Sequence, residues 1–179
     1  MNGNFNQPYY KKAGAFSRQK WQNDRKRLEK SEIYQSEVGF TCRNCQMYVH
    51  SSAVLSGVNN RNHCPYCLWS KHVDLFKSGD RLAACKAPMQ PIGLTLKQSA
   101  KKYNVQAGEL MLIHQCTTCG GLSINRIAAD DLVDVIFEVY RLSTHTNWQT
   151  YPAVLEKGII PLRSEDAYLL KERLLGCVQ

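Results

Sequence analysis

Cys42-Arg-Asn-Cys45, followed eighteen residues later by Cys64-Pro-Tyr-Cys67, is the stretch that decides how this chain folds. Two residues between thiols let a tight turn aim both sulfurs at one ion about 2.3 Å away. The interval between the two pairs lies inside the range of about 15 to 20 residues that reads as a four-cysteine zinc site. A redox role for either pair would call for a single Cys-x-x-Cys in a βαβ setting, not two facing turns in a turn-rich stretch.

A third pair, Cys116-Thr-Thr-Cys119, stands before Gly120-Gly121, and Cys85 is a further thiolate nearby. A tetrahedral site then lacks one ligand, and neutral imidazole is the usual substitute for thiolate. His72 and His114 are the candidates. His114 is two residues before Cys116, a short ligand spacing that strains a tetrahedron, whereas His72 arrives from a separate segment and is preferred. The expected ligands are Cys42, Cys45, Cys64 and Cys67 for one Zn²⁺, and His72, Cys85, Cys116 and Cys119 for a second. His63 should point away from the first site, His50 and His145 have no ligand context, and Cys177 reads as a free thiol.

The chain has 179 residues, 44% hydrophobic and 21% charged, which fits about one globular domain with appendages and excludes a long multidomain enzyme. No apolar run approaches the roughly 18 residues that cross a bilayer, and no apolar signal core opens the sequence. The eight cysteines are therefore expected to be reduced, in a soluble cytoplasmic protein. The formal charge of +8 is uneven: residues 1–40 carry +4, residues 41–130 carry +6 and residues 131–179 carry −2. An anionic partner should meet the first two regions.

Residues 1–37 read as a basic arm, extended or partly helical, in which cations alternate with Tyr9, Tyr10, Phe16 and Trp21. Residues 38–129 read as a double zinc-binding domain, with strands over Met47–Leu55, Glu109–Gln115 and Leu122–Ile127. Thr95 followed by Gln98 suggests a capping box and a helix over Leu96–Tyr103. Residues 130–179 read as a helical extension: Asp130 or Asp131 caps a helix reaching Leu142, Ser164 caps another ending at Gly176, and an irregular connection spans His145–Pro161. The expected fold class is small α+β, two zinc-ribbon-like β knuckle lobes with C-terminal helices packed on them and a flexible N-terminal arm.

The run Arg61-Asn62-His63-Cys64-Pro65-Tyr66-Cys67-Leu68-Trp69-Ser70-Lys71-His72-Val73-Asp74 resembles the signature of the bacterial RNHCP-domain family. The resemblance continues through Phe40-Thr41-Cys42, Gly79-Asp80-Arg81, Met89, Pro91-Ile92, His114 and Asn125-Arg126, covering roughly residues 38–131. It implies a compact zinc-binding domain and no particular reaction. Arg61, Asn62, His63, Asp74, Asp80 and Arg81 are expected either to form a polar network tying two zinc lobes together or to face nucleic acid.

A small, basic, zinc-stapled domain with a cationic tail suits RNA, such as that of the ribosome or another ribonucleoprotein. Expected phosphate contacts are Lys11, Lys12, Arg18, Lys20, Arg25 and Arg27 on the arm. On the domain they are Arg61, Lys71, Arg81, Lys101, Lys102 and Arg126, with Lys77, Lys86 and Lys97 beside them. Tyr66 or Trp69 would stack on a base. A DNA- or transcription-associated module is the alternative, although the best helix is acidic and apolar, the wrong chemistry for a major groove. A metal-dependent nuclease using His63, His72, Asp74 and Asp80 is the enzymatic alternative, and the acidic C-terminal helices are a candidate protein-docking surface.

Overall fold

The computed structural model describes residues 39–76, 80–97 and 108–176. The N-terminal arm, with the six cations expected there to contact phosphate, and Lys77, Lys101, Lys102 and Cys177 lie outside the described residues. Chain order is β1 (Gly39–Thr41), β2 (Tyr48–His50), α1 (Ala53–Ser56), β3 (Ser70–Lys71), β4 (Pro88–Lys97), β5 (Glu109–Cys116), β6 (Leu122–Arg126), α2 (Val133–Ser143), α3 (Pro152–Glu156) and α4 (Ala167–Leu175). Single 3-10 turns occupy Trp148–Thr150 and Ser164–Asp166. Among the described residues this is a small α+β arrangement with two antiparallel sheets, β1 with β2 and, side by side, β3-β4-β5-β6.

β5 is central, and Met111, Leu112, Ile113 and His114 are all buried, so both of its faces are covered. α2 presents Ile136, Val139 and Tyr140, at i, i+3 and i+4, to Leu94 of β4 and Leu112 of β5. Leu162 and Leu170 close this core from the C-terminal side, and Leu68 enters it from the Cys64–Cys67 turn. Full burial of each such aliphatic contributes about 1.5–3 kcal/mol. The largest core is thus shared between the metal-binding stretch and the C-terminal helices. The outer edge of β4 is covered by residues 160–162: Leu162 N donates to Leu94 O at 2.8 Å and Thr95 Oγ1 donates to Ile160 O at 2.7 Å. A Cβ on Gly93 would lie 2.8 Å from the Trp148 ring, so only glycine lets that indole close over the strand.

Several sequence expectations are corrected. The Met47–Leu55 strand stops at His50, and α1 follows after two serines. Leu96 and Lys97 end β4 instead of starting a helix, because Thr95 directs its hydroxyl across the fold to Ile160 and not to a local N–H. Leu132, not Asp130 or Asp131, occupies the N-cap of α2, and its N–H donates to Pro65 O at 3.0 Å. Arg163, not Ser164, precedes the last helical segment, and its N–H donates to Asp166 Oδ2 at 2.8 Å. The connection over His145–Pro161 holds a 3-10 turn and α3. No helix among the described residues is long and apolar enough to cross a membrane.

Candidate metal centres

The three Cys-x-x-Cys turns repeat one backbone solution. Gln46 N donates to Cys42 O at 3.0 Å, Leu68 N to Cys64 O at 2.8 Å and Gly120 N to Cys116 O at 3.1 Å. Each turn is closed by a second bond, Cys42 N to Met47 O, Cys64 N to Trp69 O and Cys116 N to Gly121 O, at 2.8–2.9 Å. The residue after the second cysteine is left-handed every time: φ is +62° at Gln46, +59° at Leu68 and +69° at Gly120. Glycine adopts that conformation freely, whereas Gln46 and Leu68 hold it at a cost of about 1–2 kcal/mol each. This strain is small beside metal ligation, on the order of 10 kcal/mol per structural ion.

The turns converge in pairs. Cys42, Cys45, Cys64 and Cys67 gather their sulfurs, and His72, Cys85, Cys116 and Cys119 gather three sulfurs and one ring nitrogen, with all donor atoms of each set within 4.8 Å of one another. In the first set Cys42 Sγ is 3.6 Å from Cys67 Sγ, and Cys45 Sγ is 3.5 Å from Cys64 Sγ. In the second, Cys85 Sγ is 3.4 Å from Cys116 Sγ, and His72 Nδ1 is 3.3 Å from the sulfurs of both Cys85 and Cys119. Bonds of about 2.3 Å to a tetrahedral ion place sulfurs about 3.8 Å apart, so both sets need only a slight expansion. Thiolate-rich, four-donor sets of this kind fit Zn²⁺.

Local electrostatics show what a bound cation would offset. Burial pushes the Cys64 thiol far up and the Cys67 thiol up to about 11, against hydrogen bonds from the Tyr66, Cys67 and Trp69 amides that favour the thiolate. At Cys116 burial also pulls upward, but the Cys119 and Thr118 amides and the neighbouring thiols outweigh it and bring the group down to about 6. Four thiolates do not coexist at the first centre without a positive ion between them.

His72, the preferred fourth ligand, lies in the second set, and His114 does not. His114 is fully buried, donates from Nε2 to Leu68 O at 2.7 Å and accepts from Asn125 Nδ2 at Nδ1 at 2.9 Å. It is a strut between β5, which carries Cys116, and the turn that carries Cys64 and Cys67. Burial holds this imidazole down at about 3, with Leu68 O opposing and His63 reinforcing the shift. A group depressed in the folded state favours unfolding as pH falls below its ordinary value near 6.5, and the loss continues until the folded value is reached. Wild-type protein should therefore lose up to about 1.4 kcal/mol per pH unit more than His114→Gln below pH 6.5. Urea midpoints of both proteins in a common zinc buffer at descending pH measure that difference, and parallel slopes would contradict it.

Gly121 packs on the second centre. A Cβ there would sit 3.2 Å from His72 Cε1 and 3.3 Å from Cys119 Sγ, both on ligands that cannot move aside. Gly121→Ala is expected to weaken the second metal by about tenfold, the lower end of what displaced supporting groups cost, and to leave the first unchanged. Competition with a chromophoric chelator reads the two affinities separately.

The signature residues divide into two groups. Arg61, for which the sequence left open a polar network or a nucleic-acid contact, takes the first role and not the second, with a fully buried side chain: Nη1 pairs with Asp130 Oδ2 at 2.6 Å, Nη2 with Asp131 Oδ1 at 3.0 Å, and Nε donates to His63 O at 3.0 Å. Asp131, also buried, accepts from His63 Nε2 at 2.8 Å and from Ala128 N at 2.7 Å. This network fixes the second turn of the first centre to the start of α2. Asp80 accepts from the Leu75, Phe76 and Leu82 amides and Asp74 from the Arg81 amide, so these carboxylates shape the loop before Cys85. Lys71 and Arg81 are exposed, and Arg126 is exposed while paired with Glu109 at 3.0 Å. Arg43, absent from the sequence-based contacts, is exposed inside the Cys42–Cys45 turn, where both intervening residues must face outward once the sulfurs face in.

Fold and site together define a two-centre Cys/His knuckle domain whose helices complete its core. The RNHCP domain family model matches residues 37–137, and the chain belongs to that family. No curated protein and no solved structure matches it.

Proposed function

We propose that this protein is a zinc-stapled RNA-binding module in which two structural Zn²⁺ ions hold zinc-ribbon-like lobes rigid and a cationic surface grips the polyanion. The observation that carries this reading is that segments bearing three cations are tied to one another. Arg43 Nη1 reaches Lys86 O at 3.5 Å and Lys86 Nζ donates to Arg81 O at 3.0 Å, while the Arg81 guanidinium turns to Asn60 O at 3.4 Å and to Asp74 at 4.0 Å. Gathering positive charge this way is unfavourable in isolation and favourable against phosphates. The arm, with eight Lys/Arg among residues 1–40, extends the same charge and interleaves it with stacking aromatics. Ribosomal or other ribonucleoprotein RNA in the cytoplasm is the partner this chemistry suits.

The donor sets support a non-catalytic role for the metals. Each already supplies four ligands, whereas catalytic zinc keeps one position open, and Asp74 and Asp80 are engaged by backbone amides. The acidic C-terminal helices are left for a protein partner. Binding to single-stranded RNA should fall steeply with salt: about four phosphate contacts on the domain alone, at Arg43, Lys71, Arg81 and Lys86, give a slope of log K against log[salt] of about −3. Fluorescence anisotropy over a salt series, with duplex DNA as competitor, tests this. Absent or salt-insensitive binding would refute the proposal, and stronger competition by DNA than by RNA would replace it with the DNA-directed reading.

A further inference from the structure

Building on the RNA reading, we infer that the cleft between β1 and β3 takes one unpaired nucleobase of single-stranded RNA, stacked on Trp69, with flanking phosphates on Arg43, Lys71 and Arg81. The cleft has a cavity of about 210 Å³. Its walls are the apolar faces of Phe40, Trp69, Val73 and Pro88, and no carboxylate among the described residues lines it. Aromatic walls inside a cationic rim match the two surfaces of a nucleotide, a flat apolar base and an anionic backbone. Asn44, Asn62 and Ser70 also line it and add amide and hydroxyl groups of the kind a base edge requires.

The two metal centres make this cleft stiff. Trp69 and Lys71 lie in the short segment between Cys67, a ligand of the first centre, and His72, a ligand of the second. That segment is held on both sides: Trp69 O accepts from Cys64 N at 2.9 Å and Lys71 N and Ser70 Oγ donate to Asn62 O at 3.2 and 3.0 Å, while Ser70 and Lys71 pair with Met89 and Pro88 of β4. A stacking surface fixed before contact loses little entropy on binding. The Lys71 ammonium has no ion-pair partner among the described residues, and Arg81 faces Asp74 only at 4.0 Å. A base inside a duplex offers its edge and not its face, so an unpaired strand is the fitting occupant. Cations arriving from three separate segments exceed what the single phosphate of a free mononucleotide needs.

The test uses the full zinc-loaded chain, a short unstructured RNA, the same RNA as a duplex, and adenosine monophosphate. Trp69→Ala should weaken single-strand binding by about fivefold or more, as loss of a base–aromatic stack does, with duplex binding unchanged and Trp69→Phe close to wild type. In unmodified protein the Trp69 indole N–H resonance should shift on adding single-stranded RNA, a readout that does not depend on how well a variant folds. Undiminished binding by metal-loaded Trp69→Ala, or an indole resonance unmoved at saturating RNA, overturns the cleft assignment and leaves the RNA reading standing. Failure of unmodified protein to bind any RNA overturns both. Adenosine monophosphate binding as tightly as the oligomer overturns RNA as the occupant.

Discussion

Cys64→Ser should abolish the first metal centre and, with it, the cooperative fold of the described domain. Cys64 is completely buried, its amide closes the second turn, and the residue that follows the pair, Leu68, fills the shared core. A serine hydroxyl cannot stand in for thiolate at zinc, and a structural ion contributes on the order of 10 kcal/mol, comparable to the whole stability of about 5–15 kcal/mol of a domain. Native mass spectrometry is expected to show at most one bound ion, and near-ultraviolet circular dichroism the loss of packed aromatics. Retention of two ions with an unfolding midpoint like that of the wild type would mean that the Cys64 sulfur is not a ligand.

Asp131→Ala is expected to be the most damaging change outside the metal ligands. It leaves the buried Arg61 guanidinium with Asp130 as its one carboxylate among the described residues and strips the His63 ring and the Ala128 amide of their acceptor. Removing one partner of a buried ion pair costs about 3–5 kcal/mol, because the remaining charge stays desolvated. Asp130→Ala should cost far less, about 1 kcal/mol or below, since that carboxylate is 38% exposed and screened by water. Urea denaturation of both variants at fixed free zinc separates the two. Equal losses would contradict the division of labour within this network.

The ligands are legible in the sequence because their signal is local: two residues between thiols dictate the turn whatever surrounds it. The choice of His72 over His114 is harder, since either could bring a nitrogen near Cys116 by spacing alone. Pairing of β3 with the start of β4, and of Met89 with Cys116, decides it by carrying the His72 segment to the third turn. β4 escapes a sequence reading because Pro88, Pro91 and Gly93 obscure its pattern, and the register shifts between Pro91 and Gly93. Its prolines are tolerable only next to edges and irregular pairings, which no single segment reveals. The burial of Arg61 is equally hidden, because its carboxylate acceptors lie about seventy residues further along the chain. Arginine beside asparagine looks like a phosphate contact until the partner that neutralises it is placed.

The claim on which everything else rests is that sulfur and imidazole hold two ions that set the shape of the domain. Metal content of purified protein, measured together with free thiols, addresses it most directly. Two equivalents of tightly held zinc, with the seven described cysteines unoxidised, is the expected result. Less than one equivalent, or disulfides between these cysteines in place of metal, would contradict the account.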